Sequence, residues 1–137
     1  MEQEDYIKRQ IDQLARVVGK ILLNFLGFKQ KGQVSIGIEI TNQALKSELD
    51  FDIQELINIP DDNFINILLS KKQFNNYCFG KLFELLFLIA DDTEDKEKKK
   101  IYEKCLLLLE YLEIQDKVYC FDRQLKLKQI KKYLEVV

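Results

Sequence analysis

Between residues 5 and 28, Ile7, Ile11, Leu14, Val18, Ile21, Phe25 and Phe28 recur at alternating steps of four and three. That spacing predicts one long helix with all seven side chains on one side. Ala15, Leu22 and Leu26 form a second line that widens the apolar stripe. The opposite side carries Lys8, Gln10, Asp12, Gln13, Arg16, Lys20 and Asn24, which water can solvate. The stripe needs a cover, either from the rest of the chain or from a second copy. Gly27 and Gly32 flank a polar turn and predict a helix stop.

The next stretch fits two periods. Val34, Ile36, Ile38 and Ile40 alternate with Ser35, Gly37, Glu39 and Thr41 as a strand would. Ile38, Leu45 and Leu49 fit a helix equally well. The helix is favoured, because a lone strand finds no pairing partner elsewhere in the chain. Asp50 or Asp52 is positioned to cap a short helix over IQELINI, and Asp61 or Asp62 another over NFINILLS. Residues 75–90 are apolar on most sides and predict a helix at the centre of the fold. Thr93 is the expected start of a further helix, which runs to about Asp116 and buries Ile101, Tyr102, Cys105, Leu106, Leu108, Leu109 and Leu112. A closing helix spans 122–135, with Leu125, Leu127, Ile130, Tyr133 and Leu134 as its packing positions.

Composition supports this all-helical reading. One Pro and five Gly in 137 residues leave few helix breakers. The expected architecture is all-α, a single domain over 1–137 built as a bundle or array of about six or seven helices. The long first helix occupies 5–28, short helices 35–70, a hairpin 75–116 and the closing helix 122–135.

Charge and chemistry narrow the function by subtraction. The net charge of −2 offers no global attraction to nucleic acid or anionic membrane. Acidic side chains gather at Glu39, Glu48, Asp50, Asp52, Glu55, Asp61 and Asp62, and basic ones at Lys117, Arg123, Lys126, Lys128, Lys131 and Lys132. Solvated faces account for both groups. The three cysteines, Cys78, Cys105 and Cys120, lack C-x-x-C spacing and are expected as reduced thiols. The absence of histidine removes the commonest general base and most transition-metal sites. Phosphate-binding and nucleophile-elbow motifs are missing too. The acid pairs Asp61-Asp62 and Asp91-Asp92 sit at expected helix boundaries, where capping explains them. The expectation is therefore no catalytic residue, no metal and no cofactor. No apolar run approaches the ~20 residues of a membrane span, and the polar opening MEQEDYIKRQ does not resemble a signal peptide. A cytoplasmic location is expected.

The chain carries two resemblances. E-D-Y-I-x-R-Q-I-x-x-L-A-R-V-V-G-K-I-L at the start, LDFDIQELINIPDDNFINILL, and YEKCLLLLEYLEIQDKVYCFDRQLKLKQIKKYL resemble a family of small all-helical bacterial proteins of unknown function. That resemblance implies a small helical cytosolic protein and brings no catalytic residues. Residues 79–112 resemble a tetratricopeptide-type (TPR-like) hairpin, with Leu82, Leu85, Ile89, Tyr102 and Cys105 at the core positions of the repeat. Leu86, Lys98 and Glu110 depart from it, and no second repeat is visible.

The function expected from all this is a non-enzymatic protein–protein interaction or scaffolding module, with self-association into a homodimer as one form. Its candidate seam is Ile7, Ile11, Leu14, Val18, Ile21, Phe25 and Phe28. One alternative is a nucleic-acid-associated protein using the basic patch Arg123, Lys126, Lys128, Lys131 and Lys132, with Tyr133 nearby to stack on a base. Another is a small apolar ligand lined by Phe79, Phe83, Phe87 and Tyr102.

Overall fold

A computed structural model describes residues 2–115 and 120–136, with the side chains of 2–8, 11 and 136 excepted. Among the described residues the chain forms seven α-helices and no strand. They are α1 (Glu2–Gln30), α2 (Val34–Leu49), α3 (Ile53–Ile57), α4 (Asp61–Ser70), α5 (Asn76–Asp91), α6 (Asp95–Gln115) and α7 (Phe121–Val136). The fold is all-α, as the periodicity predicts, and residues 34–40 are helical.

α5 is the centre of the fold. Cys78, Phe79, Leu82, Phe83, Leu85, Leu86, Phe87, Ile89 and Ala90 are all buried, which covers nearly its whole circumference. Asn75 starts it by accepting a hydrogen bond from the Cys78 N–H at 2.9 Å. α1 and α6 cover it from two sides. α1 runs parallel to α5, since Gly19 lies beside Tyr77 and Lys29 beside Asp92. α6 runs antiparallel, with Phe79 against Tyr111 and Phe87 against Tyr102. α2 folds back on α1, α7 folds back on α6, and α3 and α4 also close over α6.

A polar junction ties four helices at one end. Lys29 of α1 stands 3.3 Å from Asp92 and 3.8 Å from Asp91 of α5. The Tyr102 hydroxyl of α6 donates to Asp91 at 3.3 Å and is also hydrogen-bonded to Gln129 of α7.

Several local expectations shift. α1 passes through Gly27 without stopping, and the turn comes at Gly32, whose φ of 72° glycine adopts without penalty. Asp52 caps α3 by accepting from the Glu55 N–H at 2.8 Å, whereas Asp50 ends α2 in a left-handed conformation. Neither Asp61 nor Asp62 caps α4. Pro60 holds the cap position, and the two acids lie in the first turn, where the helix dipole favours them. Thr93 does not start α6. Its hydroxyl donates to the Ile89 carbonyl at 2.6 Å and so satisfies the end of α5 instead. Asp116, the expected end of α6, lies outside the described residues.

Candidate functional site

The inward stripe of α1 is core from its middle onward. Val18, Ile21 and Phe25 are buried, Leu14 is half-buried against that core, and Phe28 is half-buried beside Gly37 of α2. The chain itself covers that section of the candidate seam. The side chains of Ile7 and Ile11 lie outside the described residues.

What α1 leaves open is its other side. Leu23 is 69% exposed, between the polar positions Lys20 and Asn24. It forms a ridge with a groove on each flank. The groove towards α2 holds about 400 Å³ and is lined by Leu23, Asn24, Gly27, Phe28, Lys31 and Ile40. A Cβ at Gly27 would meet nothing within 4 Å, so the space over this lining glycine is open. Ile40 is 40% exposed, and Ile36, one turn earlier on the same row of α2, is 51% exposed. The groove towards α5 holds about 350 Å³, with Leu22, Leu23 and Leu26 on one wall and Tyr77 and Lys81 on the other.

The rims of both grooves are mainly cationic. Arg16, Lys20, Lys31 and Lys81 line them, with Glu84 the one lining carboxylate. Glu84 is paired with Lys81 at 3.7 Å, and the Lys81 ammonium also lies 5.3 Å from the centre of the Tyr77 ring. Arg16, Lys20 and Lys31 form no ion pair with any described residue. Glu39, next to Ile40 in the chain, and Asp12, which lines further hollows with Arg16, are exposed.

The candidate basic patch on α7 divides. Lys128, Lys131 and Lys132 are exposed. Lys126 turns inward, pairs with Asp122 at 3.0 Å and lies over the rings of Phe83 and Phe87. Arg123 is half-buried, with its guanidinium near Gly80. Tyr133 donates its hydroxyl to the Asp95 carbonyl at 3.3 Å and packs edge-on against Tyr102, which ties it to α6.

The aromatics considered as a ligand lining fill that space with one another. Phe83 and Phe87 stand 5.9 Å apart, Phe87 and Tyr102 5.8 Å, and Phe79 and Tyr111 4.8 Å between ring centres. Burial, with Asp91 alongside, pushes the Tyr102 phenol up to about 12. Burial also pushes the Cys105 and Cys78 thiols up, which keeps them protonated and unreactive at neutral pH.

Two features escaped sequence reasoning. Leu23 was hidden because it lies outside the apolar stripe, on the side of the helix that carries Asp12, Arg16 and Lys20. The only signal was a single large aliphatic side chain on a wet face. Lys104, on α6, is 3% exposed and bonds to both Asp61 and the Ile59 carbonyl, over the ring of Phe64. Its position between Tyr102 and Cys105 in a buried helix was the available clue. Among the described residues no group of three or more Cys, Asp or Glu is arranged to hold a metal ion, and no helix is long and apolar enough to cross a membrane.

No family model matches this chain, and no curated protein or solved structure matches it either.

Proposed function

We propose that this protein is a non-enzymatic interaction or scaffolding module that binds another protein through the outward surface of α1. The observation that carries this is Leu23. A leucine 69% exposed, standing between two grooves with more exposed aliphatics beside one of them, is apolar surface that a partner would remove from water. The seam that the sequence suggested for this role is in part consumed by the core, so the binding surface is assigned to the opposite side of the same helix. The TPR-like character of the α5–α6 hairpin belongs to this reading as the support behind α1. Three unpaired thiols support a reducing, cytoplasmic setting.

The test is site-specific photo-crosslinking in cells, with p-benzoylphenylalanine in place of Leu23 and, separately, of the exposed Lys128 on α7. A covalent adduct to another polypeptide from position 23 and none from position 128 is the expected result. No adduct from position 23 overturns the reading. Light scattering on the purified chain separates the self-associating form, since a second copy would give a mass near twice 16.3 kDa.

A further inference from the structure

The occupant of this surface can be narrowed by its shape and charge. Leu23 and the grooves on its two flanks form an exposed ridge along a helix, with aliphatic walls from Leu22, Leu26 and Ile40. A ridge flanked by grooves is the complement of a second helix, which lays two rows of side chains, three and four residues apart, on either side of the ridge. Among the described residues there is no strand edge for an extended peptide to join.

Charge then selects the kind of helix. Arg16, Lys20 and Lys31 reach water without an ion pair among the described residues, and Lys81 adds a fourth cation. We propose that the outward face of α1 docks an amphipathic helix of another protein, one with an apolar face for the two grooves and acidic residues along its flanks. The proposal rests on the reading of this surface as a protein-binding one.

Two other occupants fit less well. A second copy presenting the same face would bring Arg16, Lys20 and Lys31 against their own counterparts, and like charges in an interface oppose association. A second copy offering its acidic α2–α4 region instead would make a head-to-tail contact, which builds a ring or a filament and would raise the solution mass. A nucleic acid would match the cations but would leave the Leu23 ridge and the open floor at Gly27 without apolar contact. Phosphate contacts reward charge, and the apolar half of this surface would go unused.

The experiment is fluorescence anisotropy on the full chain with a labelled synthetic helix of about 20 residues, long enough to hold helical structure alone. One peptide carries leucines at positions i, i+3, i+4 and i+7 with glutamates between them, a second carries lysines in place of the glutamates, and a third probe is single-stranded DNA. The expected result is that the glutamate peptide binds and the lysine peptide does not. Leu23→Glu and, separately, Gly27→Phe, which fills the groove, should each weaken binding about tenfold or more. Arg16→Glu with Lys20→Glu should weaken it and remove most of its salt dependence. Circular dichroism of each variant confirms that the fold is retained.

The idea fails if both peptides bind alike, if neither binds, or if Leu23→Glu leaves binding unchanged. DNA binding more tightly than the glutamate peptide and displacing it also overturns it, assigning the surface to nucleic acid. A polymer or dimer seen by light scattering at the same concentrations assigns the surface to self-contact. Crosslinking from position 23 to a different polypeptide, together with a flat peptide comparison, would refute only the acidic-helix partner. The absence of both signals would refute the protein-binding reading itself.

Discussion

Gly37 of α2 faces Phe28 of α1 so closely that a Cβ on Gly37 would stand 2.7 Å from the Phe28 Cβ. No real Cβ contact is that short, so glycine is required here by a close approach of two helices. Gly37→Ala gains helix propensity but forces the helices apart, and overpacking costs about 1–3 kcal/mol. Gly27→Ala, with open space around it, should instead stabilise by about 0.5–1 kcal/mol. Thermal melts of the two variants should move in opposite directions.

Val18 is fully buried beside Phe25. Val18→Lys places an ammonium in that apolar setting without a partner, which a fold of this size does not tolerate. The expected outcome is loss of the cooperative helical melt. If the inward stripe were instead an interface, the variant would keep its helical signal and halve its solution mass.

Lys104 holds the start of α4 against α6 through Asp61 and the Ile59 carbonyl. Lys104→Met keeps much of the side-chain volume but leaves that carbonyl without its ammonium partner. It should cost about 1–3 kcal/mol in urea unfolding. No loss at all would show that the aliphatic stem, and not the bonded head, does the holding.

Alkaline pH should destabilise the fold. Tyr102 titrates at about 12 in the folded chain against an ordinary value of 10, so the unfolded chain releases that proton first. Stability from this group is complete below pH 10 and falls as pH rises to about 12. The raised thiols of Cys78 and Cys105 act in the same direction from about pH 9, their ordinary value. Tyr102→Phe keeps the ring and removes the proton, so its denaturation curve should be flatter between pH 10 and 12.

Periodicity along a single helix carried most of the fold. Val18, Ile21 and Phe25 announce their shared face because each is a local neighbour of the next, and α5 announces its central place by having almost no polar face. Residues whose partners are distant in sequence were harder to read. Lys104 resembles any other lysine until Asp61, 43 residues away, is brought beside it. Thr93 has the right chemistry for a helix start, but it serves the preceding helix because the chain takes one more turn before α6 begins. Leu23 shows the limit for function. An amphipathic pattern averages over many positions, and one leucine on the wet side barely changes that average, although it is the position on which binding is proposed to turn.

The nearly all-round burial of α5 has a consequence for how the chain can be divided. Its cover comes from α1 on one side and from α6 on the other, with Arg123 and Lys126 of α7 also reaching it. A cut between Thr93 and Glu94 would leave one fragment with an apolar rod half uncovered and the other with a hairpin lacking its inner wall. Neither piece has a reason to stay folded by itself, and each is the missing surface of the other. Produced together, they would reassemble into a split protein whose recovery reports on whether its two parts have met.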